Sequence, residues 1–153
     1  MVLPAPCDNQ PWRCKSVGQI RRTPGVDTMA EPGDNRAMLH VILLAPEIPP
    51  NTGNVIRLCA NTGASLHLVE PLGFTLDDSR LRRAGLDYAE WHRIHRHPDL
   101  ETCLAAVDPG RCLALSTRGC VDVYRHRFQA GDALLFGCET AGLPDAVLAS
   151  LPP

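Results

Sequence analysis

Asn54, Arg57 and Asn61 recur every three to four residues in PEIPPNTGNVIRLCANTG, Pro46–Gly63, with Asn51 one turn earlier. Wound as a helix, this spacing gathers the three on one face and leaves Asn51 at the cap. A guanidinium flanked by carboxamides near a helix N-terminus suits an anion, because first-turn N–H groups and aligned peptide dipoles favour negative charge. The chemistry suggested is contact with a phosphate, or stabilisation of an oxyanion as it develops. A merely solvated face would use Lys, Glu and Gln, since asparagine is a poor helix former. Val55, Leu58, Cys59 and Thr62 share the other face, which is expected to pack on a sheet.

Two later segments could join this one. STRGC follows the apolar run RCLAL, and GCETAGLP follows ALLF. Gly137, where a strand should end, permits close approach to the backbone, and Glu139 supplies a carboxylate that could serve chemistry or cap the next helix. Neither segment has the spacing of a dinucleotide fingerprint or a Walker A loop. Arg80, Arg82 and Arg83 form a cluster in DDSRLRRAGLDY, followed by Arg93 and Arg96. Guanidinium groups bind phosphate oxygens in pairs, so this cluster suits a nucleic-acid backbone, although a solvated charged helix is the plainer alternative. His92, His95 and His97 lack helix-face zinc spacing, and no metal is expected.

The elements that must hold these groups read as an alternation. LHVILLA (39–45), SLHLVE (65–70), RCLALS (111–116) and ALLFG (133–137) are short apolar runs typical of buried strands. Helices are expected from Asn51 to about Asn61, from Asp77 through SRLRRAG, over 98–107 with Pro98 in the first turn, and over 144–151. Strands alternating with helices predict an α/β fold, a parallel sheet with helices on both faces. In such sheets ligands sit at the carboxyl ends of the strands, which is where all three candidate loops fall.

The bulk numbers bound the rest. A chain of 153 residues is long enough for one domain with a real core, and a net charge of −2 implies that nucleic-acid contact would be local. Lys15 is the only lysine, against fourteen arginines. Seven cysteines at irregular spacing favour a reduced, cytoplasmic chain over a disulfide framework. No run is long enough for a membrane span, and no apolar signal region opens the chain. Residues 1–37, rich in Pro, Gly, Asp and Arg without periodicity, are expected to be a disordered leader, or an upstream translation of a gene starting at Met38.

Taken together, PEIPPNTGNVIRLCANTGASLHLVEPLGF, DDSRLRRAGLDY and LLFGCETAGLP resemble the SPOUT superfamily of RNA 2′-O-methyltransferases. Within it they are most similar to the tRNA (cytidine/uridine-34-2′-O)-methyltransferases, over 38–153. The resemblance implies an α/β-knot fold, S-adenosylmethionine as methyl donor, a homodimer, and the wobble ribose in the anticodon stem-loop of tRNA as acceptor. It implies Arg57, Asn51 and Glu139 as catalytic residues; the placement of their loops at neighbouring strand ends further suggests that Glu139 holds Arg57 by an ion pair. Leu115 and Gly137 are implied cofactor contacts, and Arg80, Arg82 and Arg83 RNA contacts. Members of this family continue beyond LPP with a strand, a loop and a long helix, so the knot-forming C-terminal segment is expected to be missing. An inactive fragment that binds tRNA weakly, or a SPOUT enzyme acting on another RNA position, are the alternatives.

Overall fold

The computed structural model describes residues 13–16, 39–75, 94–119 and 121–150. Five parallel strands form the centre: β2 (Leu39–Leu44), β3 (Ser65–Val69), β4 (Ile94–His97), β5 (Arg111–Ser116) and β7 (Asp132–Phe136). β1 (Arg13–Ser16) runs antiparallel along β5, and the short β6 (Val121–Asp122) pairs with β1. The order across the sheet is β4-β3-β2-β7-β5-β1-β6. β1 falls within the expected leader, and the rest of 1–37 lies outside the described residues.

Side-chain alternation sorts the strands into two apolar layers. Leu43, Leu66 and Leu68 face α1 (Pro49–Thr62), where Ile56 and Cys59 complete one core. Ile42, Val69, Cys112, Ala114, Ala133 and Leu135 point the other way, onto α2 (Leu100–Val107) and α3 (Asp145–Ser150). Near-continuous apolar strands are what a sheet covered on both sides requires. The expected α/β layering is therefore present.

Several details differ from the sequence reading. The buried stripe of α1 is Thr52, Ile56 and Cys59, whereas Leu58 is 59% exposed and Thr62 faces solvent. The helix starts two residues earlier than expected, on Pro49 and Pro50, and its C-cap is Gly63 at φ 77°. α2 is capped by Asp99, whose carboxylate accepts from the Thr102 N–H at 2.7 Å. Pro98 thus precedes the cap instead of lying in the first turn. β4 was not expected, since IHRH lacks the apolar run of a buried strand; it is an edge strand. The helix expected from Asp77 lies outside the described residues.

The N-terminal edge of β5 and β7 is tied by one buried ion pair. Asp132, 1% exposed, accepts from Arg111 Nε at 2.8 Å and Nη2 at 2.6 Å, and from the Gln129 N–H at 2.7 Å. A bidentate guanidinium pair of this kind fixes strand register at the end of the sheet away from the candidate loops.

Candidate functional site: the crevice between β2 and β7

β2 pairs with β3 on one side and with β7 on the other. The chain leaves β2 towards α1 on one face and leaves β7 towards α3 on the opposite face. Strand order therefore reverses between β2 and β7, and this is where open α/β sheets form a ligand crevice.

The local backbone is under unusual demands here. Ala45, the residue after β2, sits at φ 51°, a left-handed conformation that L-residues rarely adopt, while its N–H donates to the Val69 carbonyl at 2.9 Å. Such conformations persist where surrounding contacts over-determine them, often beside functional sites. Gly73 packs against Glu47 so closely that a Cβ would stand 2.8 Å from the Glu47 Cα. At Gly137 the crowding is greater, because a Cβ would lie 2.1 Å from the Gly142 carbonyl carbon. Gly142, at φ 70°, closes this turn by donating to the Cys138 carbonyl at 2.9 Å.

Glu139 reaches across the crevice to the start of α1. Its carboxylate accepts from the Glu47 N–H at 2.7 Å, from the Ile48 N–H at 3.3 Å and, weakly, from the Asn51 side-chain amide at 3.4 Å. The α1 N-terminus needs this, because its N-cap Ile48 offers no side-chain oxygen. Asn51, expected to be the cap, is instead inside the first turn. Burial opposes ionisation of Glu139, but the hydrogen bonds from Glu47, its own N–H, Ile48 and Asn51 together hold its carboxyl below the ordinary carboxylate range. Thr140 reinforces the link by donating to the Glu47 carboxylate at 2.6 Å.

The structure thus brings Asn51 and Glu139 together across 88 positions of sequence. Arg57 lies six residues further along α1, about 9 Å up the axis, on the exposed face. Glu139 meets the helix N-terminus through Glu47, Ile48 and Asn51, so its carboxylate steadies the start of α1. Leu115 and Gly137 sit at the carboxyl ends of adjacent strands, just past the Ala114–Leu135 pairing. Arg80, Arg82 and Arg83 lie outside the described residues.

Two hollows flank the crevice. On the α1 face, about 270 Å³ is enclosed by Val41, Leu43, Val55, Leu58 and Phe136, with Asn51, Thr52 and Glu139 at its border. The Thr52 hydroxyl is buried there with no hydrogen-bond partner among the described residues. On the α3 face, about 250 Å³ lies between Ser116, Arg118, Asp145, Leu148 and Ala149. Arg118 holds its wall by pairing with Asp145 at 2.5 Å and donating to the Leu143 carbonyl at 3.2 Å. Sequence reasoning missed Glu47, Thr140 and Arg118. A carboxylate in the Pro-rich turn after a strand was the available signal for Glu47; the other two had none.

Residues 38–152 match the profile of the SpoU rRNA methylase family. The chain belongs to this family. It is 57% identical over 117 residues to a tRNA (cytidine(34)-2′-O)-methyltransferase of Burkholderia cenocepacia, covering 75% of each chain. Among solved structures, one described as concerning 2′-OH methylation of C/U34 on tRNA superposes with a TM-score of 0.65 at 45% identity, covering 76% of this chain and 78% of that one. An AdoMet-bound rRNA methyltransferase from Sinorhizobium meliloti superposes with a TM-score of 0.61 at 22% identity, covering 76% and 45%, a likeness of fold. The SPOUT-type resemblance of the three motifs is thereby established. No helix among the described residues is long and apolar enough to cross a membrane.

Proposed function

We propose that this chain transfers a methyl group from S-adenosylmethionine to the ribose 2′-hydroxyl of the wobble nucleotide, cytidine or modified uridine 34, of tRNA. The observation that carries this reading is the 57% identity to a relative named for that reaction, over three quarters of both chains. A structure described by the same methylation shares the fold at 45% identity.

The residues present suit a nucleoside cofactor in kind. The hollow on the α3 face joins an apolar wall, Leu148 and Ala149, to polar groups at Ser116, Arg118 and Asp145. At about 250 Å³ it is just below the usual size of small-ligand sites, so it accommodates part of the cofactor. Backbone groups at Leu115 and Gly137 border the strand ends from which such a ligand would be held. Bound there, the sulfonium supplies an electrophilic methyl group.

The chain's own residues must align the acceptor oxygen and manage its proton. A guanidinium keeps its charge across the physiological range, so Arg57 acts by holding the adjacent phosphate and stabilising the alkoxide as it develops. The 2′-hydroxyl proton leaves through that phosphate or water. Asn51, held by Glu139, orients the ribose at the mouth of the crevice. Arg80, Arg82 and Arg83 contact the anticodon-stem backbone.

In a homodimer, a second copy seated on the α1 face would cover Leu58, which is 59% exposed at the rim of the apolar hollow.

The direct test is to incubate the purified chain with S-adenosylmethionine and tRNA transcripts carrying C34 or U34, then digest and identify the methylated nucleoside by mass. The expected product is 2′-O-methylcytidine or 2′-O-methyluridine at position 34. Methylation confined to another position, or to a base, would overturn the reading.

A further inference from the structure

Outside the crevice, the chain gathers imidazoles and a thiol at one edge of the α2-side core. His67 interrupts the otherwise apolar β3, sharing a face with Val69 and opposing Leu66 and Leu68; it is 5% exposed. His97 closes β4, one strand over, and is 9% exposed. Cys103, in the second turn of α2, is fully buried. One ring nitrogen of each histidine and the Cys103 sulfur lie within 4.8 Å of one another.

The spacing is close to that of a metal site. His67 Nδ1 and His97 Nε2 are 3.1 Å apart. Two nitrogens bound tetrahedrally to one zinc at 2.0–2.1 Å stand about 3.3 Å apart, and a nitrogen and a sulfur about 3.6 Å. With the sulfur within 4.8 Å of both nitrogens, closing the set needs an approach of at most about 1 Å. The other nitrogen of His67, Nε2, lies 3.1 Å from His40 Nδ1. If His67 donates its Nε2–H to His40, its Nδ1 lone pair is left pointing at His97 and Cys103. A ligating histidine whose second nitrogen is hydrogen-bonded in this way is the usual outer-shell arrangement.

Asp99, the N-cap residue of α2, follows His97 by two positions and places a carboxylate near the cluster. Burial holds the Cys103 thiol well above its ordinary value, so zinc must displace its proton to bind.

We propose that His67, His97 and Cys103 bind one zinc(II) ion through two imidazole nitrogens and a thiolate, with water as the fourth ligand. Binding replaces the thiol proton, which is released to solvent, with the metal–sulfur bond, and no electron is transferred. Because the ligands come from β3, β4 and α2, the ion fastens the edge strand and its covering helix to the sheet. The site lies on the α2 face, away from Asn51 and Glu139, so it is independent of the methyl-transfer reading.

The test uses the full chain, stripped of metal with a chelator and titrated with zinc, and in parallel with cobalt(II) as a spectroscopic probe. Expected are one tightly held equivalent of zinc, a higher thermal midpoint on zinc addition, and a thiolate-to-cobalt charge-transfer band of tetrahedral type. Cys103→Ser should lose the band while Cys138→Ser keeps it. A folded wild-type chain showing no thiolate–cobalt band would overturn the proposal and leave a hydrogen-bonded imidazole chain. So would an equal band in Cys103→Ser. The first outcome is read on the wild-type protein alone, so a variant that fails to fold does not blunt the test.

Discussion

Glu139 and Gly137 stand two positions apart and do different physical work. Glu139 offers acceptors to three donors at the start of α1, and Glu139→Ala leaves those donors to solvent. The expected loss is about 1 kcal/mol of stability, measured by urea titration, because the site is exposed and water partly compensates. The pH dependence has a defined sign. A carboxyl held below its ordinary value contributes stability above the unfolded pKa, near 4.5, and loses it as pH falls through the lower folded value. The difference in stability between wild type and Glu139→Gln should therefore shrink on acidification below about pH 4.5. Gly137→Ala is of another kind, since its Cβ would meet backbone at 2.1 Å. That clash cannot be relieved by a side-chain rotation, and a loss of about 3 kcal/mol or failure to fold is expected in the same titration.

At the scale of elements, the strand runs were legible because both faces of the sheet are covered, so LHVILL, SLHLV, RCLALS and DALLF needed no alternation to be recognised. β4 was not legible, because IHRH at the sheet edge buries only His97. The early start of α1 was also hidden, because it depends on a carboxylate contributed from beyond β7, and local sequence carries no trace of a cap that distant. That the loops bearing Asn51 and Glu139 meet follows from strand-end placement, whereas the hydrogen bond between the two and Glu139's role in steadying α1 do not. The two ends of the sheet should respond differently to mutation. Arg111→Ala strands the buried Asp132 carboxylate and should cost about 3 kcal/mol in stability. Because that pair sits at the far end of β5 and β7, KM for tRNA measured below the unfolding transition should stay near the wild-type value.

For the whole molecule, function depends on what meets the crevice from outside. In the proposed homodimer a second copy covers Leu58 at the rim of the apolar hollow, so Leu58→Glu should shift the sedimentation profile from dimer to monomer. A tRNA held through arginines should bind with an affinity that falls by about 0.7–0.9 log units per log unit of salt for each phosphate neutralised. Replacing Arg80, Arg82 and Arg83 by alanine should flatten that slope; an unchanged slope would remove them from the interface.

Methyl transfer as proposed requires the α1 surface bearing Arg57 to face the reacting ribose. The most direct measurement is the single-turnover rate of methyl transfer to tRNA by Arg57→Ala, paired with calorimetric titration of S-adenosylmethionine. A rate reduced by about 10²-fold or more with cofactor affinity nearly unchanged is expected. A variant that transfers methyl groups as fast as the wild type would contradict it.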